Sequence, residues 1–118
     1  MEQILKSIGW KEIYPDTIKR LTIFKDGFRE YFSHDEISDK ELEDAVAYSF
    51  GIYGQGMVYE IYCKLKRETE SLTMGEIVRD FVMAFKESLS ELTLSEIKPR
   101  NYINLFIELL FSYVIKGT

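Results

Sequence analysis

The sequence predicts an all-α fold, a compact bundle of five or six helices built by a single domain over residues 1–118. Two observations predict it. Apolar residues recur at intervals of three and four along most of the chain, and five separate signals mark places where a helix should start.

Taken in order, the first start is Pro15, since a proline at the first helical position loses no hydrogen bond and brings a suitable φ. From there Ile18, Leu21, Phe24, Phe28, Tyr31 and Phe32 fall on one helical face. Gly27 sits inside that helix at a cost of about 1 kcal/mol relative to Ala. Three later starts are Ser/Thr-x-x-Glu capping boxes: Ser38 with Glu41, Thr73 with Glu76, and Thr93 with Glu96. After Ser38, the positions Leu42, Ala45, Val46, Ser49 and Phe50 run to Gly51. A further stripe, Met57, Val58, Ile61, Tyr62 and Leu65, runs on beyond Gly56. The glycines at 51, 54 and 56 make these either two helices or one helix with a kink. Ile77, Val78, Phe81, Val82 and Phe85 define the next helix, and Pro99 opens the last. In that last helix the polar residues Asn101, Asn104, Glu108, Ser112 and Lys116 occupy about a third of the circumference, leaving two thirds apolar. Such a helix has to be covered, either as the centre of the bundle or by the same helix of a second copy, through Tyr102, Phe106, Leu109 and Tyr113.

Composition narrows the function classes. Hydrophobic residues make up 46% and charged residues 30% of 118, too apolar for disorder and too charged for a membrane protein. The apolar stretch from Tyr102 to Ile115 is interrupted by polar residues and falls short of the ~20 residues of a spanning helix, so no membrane contact is expected. The net charge of -5 opposes a phosphate backbone at long range, so no direct nucleic-acid binding is expected. The single cysteine, Cys63, excludes an intrachain disulfide and suits a reducing cytoplasm, as does the lack of an export signal after Met1. With His34 the only histidine, no metal or other cofactor is expected.

Several residues nonetheless invite a chemical reading. The segment Arg29-Glu30-Tyr31-Phe32-Ser33-His34 resembles the Arg-x4-6-His signature of HEPN ribonucleases, helical dimers in which the Arg and the His act on a scissile phosphate. By that resemblance Arg29 would hold the phosphate and His34 would move the proton. The match covers six residues and lies in the first half of the chain, where a solvent-exposed His34 beside a helix end is the simpler account. The stretch from Ala47 to Arg67 is similar to the C-terminal effector domain of TetR-type repressors, which implies a small-molecule pocket beside Tyr53, Met57 and Tyr62. Ordinary aromatic core packing is the competing account. The run from Asp35 to Asp44 carries six carboxylates around a helix start, where the helix dipole favours negative charge. It would also serve to dock a basic protein partner. The function these readings leave is a non-enzymatic interaction or regulatory protein that docks by helix faces, as a homodimer.

Overall fold

A computed structural model describes residues 1–68, 71–90 and 98–116, with side chains excepted at 89, 90, 115 and 116. Its order is α1 (Glu2–Ser7), α2 (Pro15–Arg29), α3 (Asp39–Gly51), α4 (Gly54–Glu68), α5 (Met74–Ser90) and α6 (Pro99–Lys116). No strand occurs among the described residues.

Local chemistry sets the boundaries. Pro15 and Pro99 occupy the first positions of α2 and α6, as expected. The Ser38 hydroxyl accepts from the Glu41 N–H at 3.2 Å and donates to the Glu41 carboxylate at 2.9 Å. Thr73 and Glu76 repeat this before α5, at 3.2 and 2.8 Å. In both boxes the carboxylate takes the hydroxyl proton rather than reaching the cap backbone. The Thr93 and Glu96 box lies outside the described residues. A further box, overlooked in the sequence, closes the turn after α2: the Ser33 N–H donates to the Glu36 carboxylate at 3.1 Å, and the Glu36 N–H to the Ser33 hydroxyl at 3.2 Å.

The two-helix alternative holds at the glycines. The α3 helix ends at Gly51 and α4 starts at Gly54, whose φ of 85° suits only a residue without Cβ. Gly56 then lies inside α4 instead of before it. A second element was not anticipated: α1 is too short for periodicity to reveal, yet it buries Leu5 and sets Leu5 and Ile8 against Gly51. From the same end the Trp10 indole N–H donates to the Gly51 carbonyl at 2.8 Å. Gln55 fastens the stretch that follows, accepting from the Tyr14 N–H and the Thr17 hydroxyl while donating to the Glu12 carbonyl.

Packing places α2 between α5 and α3, with α6 lying on α3 and reaching α4 and α5. The core is continuous from Leu21, Phe24, Phe28 and Phe32 of α2 and its end, through Leu42, Val46 and Phe50 of α3, to Ile103, Phe106, Ile107 and Leu110 of α6. Rings contribute strongly: Phe24 lies 4.5 Å from Phe50, and Phe28 meets Phe106 edge-on at 5.1 Å. Between α3 and α6 the buried Ser49 hydroxyl donates to the Asn104 carboxamide, one polar pin in an apolar contact. The radius of gyration, 13.7 Å, is what a compact chain of this length should show, about 13.5 Å.

Candidate functional site

The α6 helix is enclosed on one side only. Ile103, Phe106, Ile107 and Leu110 are buried, whereas Leu105 is 36% and Leu109 59% exposed. A groove of about 440 Å³ opens between α5 and α6. Its α5 wall is Phe81, Ala84, Phe85 and Ser88, and its α6 wall is Phe106, Leu109, Leu110 and Tyr113. Both walls follow the i, i+3, i+4, i+7 pattern, which stacks four side chains along one helix face. No charged side chain lines the groove among the described residues. Phe106 forms the floor, with the rings of Phe81 and Phe85 edge-on to it at 6.4 and 5.7 Å.

Three of the four dimer-contact residues named from the sequence therefore lie together here, but in different roles. Phe106 is enclosed within its own chain, so only its groove-facing edge remains. Leu109 projects at the lip. Tyr113 closes one end, with the Lys64 ammonium 4.4 Å from its ring and donating to its carbonyl. Tyr102 is half-buried and stacked on Phe32 at 6.1 Å, away from the groove lining. The α5 wall was not singled out in the sequence, although Phe81 and Phe85 beside Ile77, Val78 and Val82 make an apolar arc wider than one neighbouring helix covers.

The residues suggested for a ligand pocket do not converge. Tyr53 stacks on Phe111 of α6 at 4.5 Å, and burial, with Glu108 nearby, pushes its hydroxyl pKa up. Tyr62 faces α2, with the Arg20 guanidinium 5.7 Å from its ring, and Met57 packs on the core. The hollow beside Tyr53 measures about 160 Å³ and includes neither Met57 nor Tyr62. A larger hollow of about 1030 Å³ at the far end of α4 is lined by Tyr59, Cys63 and the charged residues around them, and holds none of the three.

Arg29 and His34 also have other work. The Arg29 guanidinium donates to the carbonyls of Phe32 and Ile37 at 3.0 and 2.9 Å and stands 3.2 Å from the Asp39 carboxylate. It thus ties the turn between α2 and α3 together, while His34 lies exposed beside Asp39 at 3.5 Å. The acidic run is partly compensated within the chain. Asp39 faces Arg29, Glu43 faces the amino terminus, and Glu36 faces Lys86. The Ser33 backbone N–H, with Lys86 in support, holds the Glu36 pKa below the usual carboxylate range despite some burial.

Among the described residues no helix is long and apolar enough to cross a membrane, and no group of three His, Cys, Asp or Glu side chains is arranged to hold a metal ion. No protein-family model, curated protein or solved structure matches the chain.

Proposed function

We propose that this chain is a non-enzymatic interaction protein of regulatory type, which docks through the α5–α6 face onto the same face of a second copy. One observation carries the reading: a projecting apolar ridge, Leu105 and Leu109, stands beside an uncharged apolar groove on the same face. A twofold contact uses one patch against itself, so that patch must supply both the projection and the recess. Here each copy's Leu109 would enter the groove of the other. Phe81, Leu105 and Leu109, large apolar side chains left at the surface on this face, would be covered together. The uncharged lining also matters because each copy carries a net charge of -5. Paired copies repel through water, and an interface without charge adds nothing to that repulsion.

Sedimentation equilibrium tests the reading. Wild type should sediment as a dimer, more tightly in high salt because screening weakens the repulsion between like-charged copies. Leu109→Glu should give a monomer with unchanged helix content. A wild-type chain that stays monomeric at about 100 µM, weaker than most specific pairs, would overturn the proposal.

A further inference from the structure

A second cleft, of about 540 Å³, lies between the start of α6 and the α1–α3 side of the bundle. Charges of both signs line it. Arg29, Arg79 and Lys86 each stand within 3.5 Å of a carboxylate. Arg100 lines the cleft together with Glu41 and Asp44, yet among the described residues it forms no ion pair. Open space holds the opposite charges apart. A smaller hollow of about 280 Å³ adjoins it, lined by Lys98 and Arg100 together with Glu41 and with Glu36, which pairs with Lys86.

The remaining lining offers hydrogen bonds and an apolar floor. Asn104 uses its carboxamide oxygen on Ser49, which leaves its amide N–H donors for another acceptor, and Asn101 lies one turn before it. Ile4 and Ala45 supply the half-buried apolar part, and the Tyr48 ring is 51% exposed at the edge.

We propose that this cleft binds a small zwitterion, a free amino acid or dipeptide. Arg100 and the two asparagine amides take its carboxylate, Asp44 and Glu41 its ammonium, and Ile4, Ala45 and Tyr48 its side chain. A ligand of one sign would meet a repulsive group on one wall, whereas a zwitterion satisfies both walls at once. The volume lies within the usual range for small-ligand sites, about 300–1,000 Å³. The cleft shares no lining residue with the α5–α6 groove, so this inference stands apart from the proposed dimer.

Amide NMR spectra recorded against the L-amino acids and the dipeptide Gly-Leu, each at about 5 mM to reach weak binders, provide the test. At least one should shift the signals of Asp44, Ala45, Tyr48 and Asn101. Its N-acetyl and carboxamide forms, each lacking one charge, should bind at least about tenfold more weakly. Arg100→Gln and Asp44→Asn should show the same loss with unaltered circular dichroism, and Leu109→Glu should bind as wild type does. The proposal is overturned by spectra that none of these probes moves, by blocked forms that bind as well as the zwitterion, or by either cleft variant retaining full affinity.

Discussion

At Gly27 two physical preferences point in opposite directions. Helix propensity favours Ala over Gly in the middle of α2 by about 1 kcal/mol. A Cβ built there, however, would overlap the Val78 side chain, lying 2.8 Å from its Cβ. Val78 is buried and β-branched, so it cannot rotate away freely. The steric effect should win: Gly27→Ala should lower stability in urea by about 1–3 kcal/mol, the usual range for overpacking. With Val78→Ala added, the double variant should lose less than the two single losses together. A rise in stability for Gly27→Ala alone would mean that α2 and α5 are not in this close contact. The sequence announces the cost of this glycine but not its cause, because Val78 is brought beside it only by tertiary packing. Arg29 teaches the same lesson from the other side. Its spacing to His34 suggests phosphate chemistry, while its hydrogen bonds go to the carbonyls of Phe32 and Ile37, which no local spacing reveals.

Individual helices were legible wherever their length allowed periodicity to speak. The faces of α2 and α3 buried the residues that the three-and-four spacing marked, among them Leu21, Phe24, Phe28, Leu42, Val46 and Phe50. The six residues of α1 gave too few repeats. In α6 the half-buried Asn104 turns toward Ser49 of α3, and the apolar two thirds are of two kinds. Phe106 and Ile107 face inward, and Leu105 and Leu109 face out. Stability should separate them. Phe106→Ala should cost about 3–5 kcal/mol in chemical denaturation, as for a large side chain removed from a packed core. Leu109→Ala, measured at a concentration dilute enough to keep the chain monomeric, should change stability by less than about 0.5 kcal/mol. Equal losses at the two positions would place both on the same side of the helix, against the packing described.

The bundle as a whole was foreseeable from its class, while the groove was not. Its two walls come from α5 and α6, and only the way tertiary packing sets them side by side makes a recess of faces that read separately as ordinary core stripes. If two chains cover that recess, folding and pairing are linked, and the melting temperature should climb with protein concentration by about 3 °C or more per tenfold. Differential scanning calorimetry over two decades of concentration would show it. A flat response in wild type would argue for a chain whose stability is complete without a neighbour.

The aromatic ladder through the core has a further consequence for synthesis. Phe28 and Phe32 of the α2 region rest on Phe106 and Tyr102, 78 and 70 residues downstream. At ribosomal elongation rates of about 5–20 residues per second, these two rings are made on the order of 4–15 s before their partners exist. During that interval the nascent chain shows a sticky face that the residues still to come have yet to shield, so in translation α6 acts as the closing member for these rings.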